Sequence, residues 1–477
     1  MSEVKKIGKN SLMSYIARAS DLVVGIVTMS IIARYLSIEF FGNYMLVMTC
    51  GWILSTIVNM GTEQITVREI SRNKEEASGF LVNGIFVNFL LFSICIAIYS
   101  LSIPFLKLER VIIFALYLNF LSEAMKAYMR VIISVFIAYE KMGYDALLTF
   151  LARVIVLIST IVIVYFKLDF VYLFVSCVAG SGTGLLLGLI ILLKKFVVPK
   201  IEIQFSRLKY IFVESFPVGI NIISQQFYFY IGVYVVKTLE NEAAVALFQG
   251  PNKLVTLFQI IPIALLAAFQ PLMSRLAVSN TSSNKFEYVY QKSFKFLFII
   301  SFPVSVLGMV LAHKIILLVF GVGFKDAVIS FQILIWAVNF IFLDVLLTFV
   351  LTSINKQRLL ILGNVTCVLK NLILSIIFVK KYGYVGAAWA ALISYGVVFI
   401  IDFYFVTKNL KCTPLKQGIL QPVISSLIAG FILYSFHSLN IVLLFLCGLI
   451  TYFGLIWALK TFTLEERQLF RNIFIRT

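Results

Sequence analysis

A chain of 477 residues that is 61% hydrophobic and only 13% charged, with mean hydropathy +1.01, carries more apolar surface than soluble cores need and reads as a polytopic membrane protein. Its net charge of +18 would point to nucleic acid in a soluble protein; here it poses the question of which membrane face holds the Lys and Arg. Six cysteines without a CxxC read as small hydrophobes, and two separated histidines, His313 and His437, argue against a histidine metal site.

Long apolar runs broken by charged or turn-rich pieces predict fourteen spans. Those of the first half lie near 12–35, 40–60, 80–103, 111–137, 146–166, 170–193 and 211–236. Those of the second half lie near 253–275, 294–312, 330–353, 359–379, 385–406, 418–436 and 439–459. The basic opening MSEVKKIGKN runs into a full-length span without a small-residue cleavage site, so it reads as a retained first helix and not a signal peptide. None of the gaps between spans could hold a soluble catalytic domain.

Span 1 carries Arg18 and Asp21 at i, i+3. Span 4 carries SEAMKAYMR, from Ser122 to Arg130, in the middle of an apolar run. At 100° per residue, Asn119, Glu123, Lys126, Arg130 and Ser134 fall within about 60° of arc on that helix. Charges at membrane depth are expensive on a lone helix, so they require partners or a polar cavity. Two readings stand side by side: Glu123 and Lys126 neutralise each other while Arg130 snorkels to the interface, or the bases line a cavity and meet an anionic ligand. Span 5 adds Arg153, so the first half is rich in bases opposed only by Asp21 and Glu123, a balance suited to a phosphate or pyrophosphate.

Span 6 contains GSGTG from Gly180; with Gly188 it gives Gly180, Gly184 and Gly188, the small-xxx-small spacing of close helix packing and not a phosphate loop. Span 7 presents Glu214, Asn221, Gln225, Tyr228 and Gly232 as a second polar stripe, read as either a cavity lining or ordinary interhelical bonding, with kinks expected at Pro217, Pro262 and Pro271. Further on, Asp344 lies in span 10 and Lys370 in span 11. No Walker A, DxD, HExxH or GxSxG pattern occurs, so a transporter without cofactor, metal or catalytic residue is expected, and no ATPase or self-contained enzyme.

Of the 40 Lys and Arg, 24 fall on the side of the N-terminus, 10 on the other side, and the rest within spans, so both termini are expected in the cytoplasm. An internal repeat is also visible. Arg34 to Glu39 matches Lys237 to Glu242 at an offset of 203, and the exit of span 4 before Lys141 matches TSINK before Lys356 at an offset of 215. Six spans separate each pair, an even number, which predicts two six-helix halves of the same orientation.

The stretches ARYLSIEFFGNY (Ala33 to Tyr44), FGVGFKDAVISFQIL (Phe320 to Leu334) and KYGYVGAAWAALISYG (Lys381 to Gly396) resemble the patterns of Wzx-type polysaccharide or O-antigen flippases, in the multidrug/oligosaccharidyl-lipid/polysaccharide (MOP) exporter superfamily. The resemblance covers essentially the whole chain. It implies an all-α polytopic fold of about 14 transmembrane helices: a six-helix lobe over 1–193, a basic cytoplasmic linker over 194–210, a second six-helix lobe over 211–406, and two extra helices with a cytoplasmic tail over 407–477.

It further implies transfer of an undecaprenyl-pyrophosphate-linked oligosaccharide, an O-antigen or capsule repeat unit, from the inner to the outer leaflet of the bacterial plasma membrane by alternating access. Arg18, Lys126, Arg130, Arg153 and Lys370 would supply the cationic cavity. Asp21, Glu123 and Asp344 are the candidate coupling acids, and Asn221, Gln225 and Tyr228 the polar stripe. The implied partners are the lipid-linked substrate, the membrane and polysaccharide polymerase machinery, with no nucleic acid. Many relatives carry an Asp in span 7, where this chain has Gln225, Gln226 and Tyr228. The alternative is a cation-coupled small-molecule antiporter of the same superfamily, expected to show twelve spans and an acidic cluster. A membrane glycan polymerase would be expected to carry a long external loop.

Overall fold

The computed structural model describes residues 22–106, 108–266, 273, 276, 283–354, 356, 358–410, 412, 419–436 and 438–462. Among the described residues the protein is helical throughout, without a strand. Eight of its helical stretches are long and apolar enough to cross a membrane.

Helix α1 (Leu22–Tyr35) is followed by α2 (Ile38–Asn59), whose first turn is capped by Ser37 accepting from the Phe40 amide at 3.3 Å. Met60 and Gly61, at φ 40° and 83°, then take left-handed backbone, which glycine adopts without steric penalty, and end the helix. Beyond that break lies α3 (Thr62–Arg72), an amphipathic helix that buries Ile65 and Ile70. Next come α4 (Ala77–Leu106), α5 (Arg110–Ala138), α6 (Gly143–Tyr165), α7 (Tyr172–Lys195), α8 (Phe205–Leu239), which contains Pro217, and α9 (Glu242–Leu257).

The second half holds α10 (Ser283–Phe320), α11 (Ala327–Leu334), α12 (Ala337–Ser353), α13 (Arg358–Leu410), α14 (Leu420–Ser435) and α15 (Ile441–Ala458). Within α13 the backbone at Gly383, φ 60° and ψ −148°, separates two arms that match the two spans predicted there. Two starts differ from the sequence reading. The eighth span begins at Glu242 instead of 253, because Asn241 caps α9 through a 2.9 Å bond from the Ala244 amide. The ninth begins at Ser283 instead of 294, because residues 283–293 hold neither glycine nor proline, so the helix continues past its apolar section. Pro271 lies outside the described residues.

The chain forms two compact units, one of residues up to Gln249 with Val319–Gly321, the other of Gly250–Leu318 with the residues from Val322 onward. The centre of the first unit is α5, which packs against α2, α3, α4 and α7. Its residues Val131, Ile132, Ile133, Val135 and Phe136 are wholly buried. The glycine seam of α7 is a packing seam: a Cβ on Gly180 would stand 2.7 Å from the Ala152 carbonyl of α6, and one on Gly184 would stand 2.8 Å from Met129 Sδ of α5.

In the second unit the hairpin of α14 and α15 docks on α10. Tyr452 donates to the Ile299 carbonyl at 2.6 Å, Lys295 Nζ donates to the Thr461 carbonyl at 2.7 Å, and Lys314 donates to the Leu439 carbonyl. Side by side, α12 and α13 supply the remaining buried seam.

The repeat seen in the sequence recurs as backbone geometry. After α5, Lys141 N bonds Phe136 O at 2.8 Å and Tyr139 N bonds Val135 O at 3.0 Å. After α12, Lys356 N bonds Leu351 O at 2.7 Å and Ile354 N bonds Val350 O at 3.1 Å, each partner displaced by the same 215 residues. Likewise Ser37 and Asn241 both cap the helix that follows the matching exits of α1 and α8.

Candidate functional site

Helix α5 has no glycine or proline along its 29 residues, so at about 1.5 Å per residue it extends about 43 Å without interruption. Its polar residues anchor it. Asn119 Nδ2 donates to the Val47 carbonyl of α2 at 2.7 Å and lies in the space left by Gly51, where an added Cβ would overlap it. Ser122 donates to the Cys177 carbonyl of α7 at 3.0 Å, and Ser181 donates to Ser122 at 3.1 Å. Ser134 bonds its own helix at Val131. Asn119 and Ser134 are thereby engaged in helix contacts.

With α5 held on both sides, Glu123 and Lys126 form a 2.6 Å ion pair; the acid's side chain is 4% exposed and the base's 32%. The carboxylate is therefore enclosed while the ammonium opens outward, an arrangement in which the base is the end a ligand could reach. Glu123, Lys126 and Arg153 of α6 all lie within electrostatic reach of Cys177 on α7. Arg153 also reaches Tyr44 of α2, and Glu123 reaches Tyr230 of α8. Tyr230 in turn packs on Trp52 of α2 with ring centroids 5.3 Å apart. One acid, two bases and two tyrosines from four helices thus gather around the middle of α5, with Cys177 of α7 among them.

The other sequence candidates are placed differently. Arg130 is exposed on the same helix. Asn221 and Gln225 are half-buried on α8. Arg18, Asp21 and the Tyr228 side chain lie outside the described residues. Lys370 belongs to the second unit, exposed on the first arm of α13, and Asp344 is half-buried there on α12, with its Oδ1 enclosed.

The structure adds one residue that the sequence reading passed over. Asp402, 2% exposed on the second arm of α13, lies within electrostatic reach of Asp344. Its signal was present, an acid inside the predicted span 385–406.

Glu214, counted on the polar stripe of span 7, instead closes a clasp between α3 and α8. Arg68 donates to Glu214 at 2.8 Å, to Glu69 at 2.7 Å and to Tyr210 at 3.1 Å, while Tyr210 donates to Glu69 at 3.0 Å. Arg207 of α8 pairs with Glu76 at 2.6 Å. Burial works to raise the Glu69 carboxyl, but the bonds from Arg68 and Tyr210 and the charges of Arg68 and Arg72 outweigh it and hold that carboxyl below its ordinary value. The bond to Glu214 above all holds the Arg68 guanidinium more firmly protonated than usual.

Residues 7–277 match the family described as "Polysaccharide biosynthesis protein", and residues 217–377 match the family MatE. Among curated proteins none matches the sequence. Among solved structures, the lipid II flippase MurJ in an inward closed conformation is similar over 94% of this chain and 98% of its own, at 17% identity and TM-score 0.78. An inward-facing multidrug resistance MATE family transporter is similar over 83% and 98%, at 16% identity and TM-score 0.70. A MOP superfamily transporter from Pyrococcus furiosus is similar over 86% and 97%, at 16% identity and TM-score 0.64. At these identities the likeness establishes the fold alone.

Proposed function

Because the chain belongs to the polysaccharide biosynthesis protein family, within the MOP superfamily of transporters, we propose that it is a flippase for a lipid-linked oligosaccharide. The substrate class is an undecaprenyl pyrophosphate carrying a sugar repeat unit, moved from the cytoplasmic to the outer leaflet of a bacterial plasma membrane by alternating access. Both termini lie in the cytoplasm, and polysaccharide polymerase machinery receives the product.

One observation carries this reading: Lys126 and Arg153 share the neighbourhood of a nearly buried Glu123 at the centre of the first unit. Glu123 holds Lys126 in place, and the outward-opening ammonium, with the Arg153 guanidinium also within electrostatic reach of Cys177, provides two positive groups for a diphosphate. A sugar chain needs no dedicated charge, so its contacts fall to polar and aromatic residues such as Asn221, Gln225 and Tyr230.

Removing Lys126 alone would leave an unpaired buried acid, so the informative variant is Glu123→Gln with Lys126→Gln. Expressed in a flippase-deficient cell, this double variant should insert normally and fail to restore surface polysaccharide. Full restoration would make the pair structural and leave Arg18, Arg130 and Arg153 to bind the anion. A reporter that works only outside the cytoplasm, fused after Thr477, should stay silent; a strong signal would reverse the topology.

The MatE match over residues 217–377 favours a second reading, export of a small molecule in exchange for a cation. Cells overproducing the chain would then gain resistance to cationic dyes with no change in surface polysaccharide.

A further inference from the structure

The segment that joins α7 to α8 is bound to the first unit along one side and apolar along the other. Phe196 packs on Phe136 and Tyr139 of the α5 end, with ring centroids 4.9 and 5.5 Å away. Lys200 N donates to Ser78 Oγ at 2.8 Å. Asn83 of α4, wholly buried, grips the backbone twice more: its Nδ2 donates to the Glu202 carbonyl at 3.1 Å, and its Oδ1 accepts from Gln204 N at 3.0 Å. Linker backbone groups are thus satisfied by side chains of α4, although the linker itself is not helical.

The opposite edge carries Ile201, Ile203 and Phe205, which are 86%, 52% and 81% exposed. At 100° per residue, Phe205, Phe212 and Phe216 fall within about 40° of arc on α8, and all three are exposed. Arg207, Tyr210 and Glu214 fall within about 60° on the far side of that helix, where they meet Glu76, Glu69 and Arg68. The apolar face of α8 therefore continues without a break onto the linker. Exposed bases flank it, Lys194 and Lys195 at the end of α7, Lys200 on the linker and Lys209 on α8, opposed there by the exposed Glu202. No ion pair among the described residues includes any of these four bases.

An apolar edge flanked by bases, at the ends of two membrane-length helices, matches the boundary between headgroups and acyl chains. We propose that residues 200–205 are an interfacial anchor: Ile201, Ile203 and Phe205 insert into the lipid surface, and the flanking lysines meet anionic phospholipid headgroups. The bonds from Ser78 and Asn83 fix the linker's height, so the anchor sets the first turns of α8 against the bilayer surface. This requires only that the helices span a membrane, whatever the substrate.

The test places a reporter on that edge of the full chain, Ile201→Trp, in phosphatidylethanolamine–phosphatidylglycerol vesicles, with the wild-type emission subtracted. Its added emission should be blue-shifted, little affected by acrylamide, and quenched about twofold by phospholipids brominated near the headgroup. Ser71→Trp, at the exposed end of α3, should stay open to acrylamide; Phe205→Trp repeats the measurement should Ile201→Trp fail to insert. Phosphatidylglycerol added to detergent-solubilised protein should raise the melting temperature of the wild type and raise that of Lys200→Gln with Lys209→Gln less, while glycerol phosphate at equal concentration should do neither.

An added emission open to acrylamide and untouched by brominated lipid would overturn the anchor. A blue-shifted emission that brominated lipid leaves unquenched would overturn it too, by placing a second copy or another protein over the edge. Stabilisation by glycerol phosphate equal to that by phosphatidylglycerol would overturn the lipid assignment of the lysines.

Discussion

The two units handle buried charge in opposite ways. In the first, Glu123 is neutralised by Lys126 one helical turn away, and the base remains a third exposed. In the second, Asp402 faces another acid across two helices and is almost wholly enclosed. An acid paired with a base on its own helix keeps its charge whatever the neighbouring helices do. Two acids on different helices stay neighbours only while those helices remain packed together. The first arrangement suits holding an anion, which the second does not, since no ion pair among the described residues includes its acids.

The largest expected effect sharpens that contrast through stability. Lys126→Ala should destabilise the protein by about 2–3 kcal/mol, the lower end for a broken buried pair because the base is partly exposed. The double Gln variant should recover most of that loss. Thermal melts in detergent provide the measurement, and equal losses for the single and double variants would mean that the pair is not coupled.

Next in size are the glycines that make room for a polar side chain in each unit. Gly51→Ala overlaps Asn119, which is fixed to Val47 of α2, and should destabilise by about 2 kcal/mol through overpacking. Gly363→Ala comes close only to Asp402 Oδ1, at 2.9 Å, with Ile401 Cγ2 at an ordinary 3.5 Å, and should lower stability by about 1 kcal/mol. Equal losses at the two sites would break the distinction between an Asn locked by its backbone bond and an acid whose nearest oxygen has no hydrogen-bond partner among the described residues.

A smaller effect concerns the clasp between α3 and α8, whose acids are paired with bases as in the first site. The Glu69 carboxyl sits lower in the folded chain than in the unfolded one, so it contributes stability above the ordinary Glu value of about 4.3, and that contribution disappears as pH falls through the folded value. Wild-type melting temperature should therefore drop on acidification below about pH 4.3 by more than that of Glu69→Gln. Parallel curves would remove the clasp as a source of acid sensitivity. Arg207→Ala should have the least effect, within about 1 kcal/mol, since the Glu76 side chain it meets is 43% exposed.

Much of the architecture was legible in the sequence because its signals are local and strong. The arms of α13 on either side of Gly383, the packing role of Gly180, Gly184 and Gly188, and the exits at Lys141 and Lys356 all follow from hydropathy, glycine placement and short matches. The starts of α9 and α10 were less legible, because a helix continues beyond the apolar run that betrays it until a cap or breaker intervenes. The charged residues were the least transparent. Asn119 and Ser134 share an arc with Lys126, yet they are spent on helix contacts. Glu214 shares a stripe with Asn221, yet it binds Arg68 of α3.

By itself the sequence determined that this is an all-helical membrane protein with a base-rich first half and short internal matches, because apolar run length, charge count and spacing are properties of the chain alone. Only the tertiary structure decided which charges meet. Glu123 and Lys126 find each other within one turn, whereas Asp344 and Asp402, 58 residues apart, are joined by the packing of α12 against α13 and by the space that Gly363 leaves open. Whether a buried acid rests against a base or against another acid depends on which faces of separate helices pack together, and that is set by side-chain fit across the seam and by no spacing along the chain.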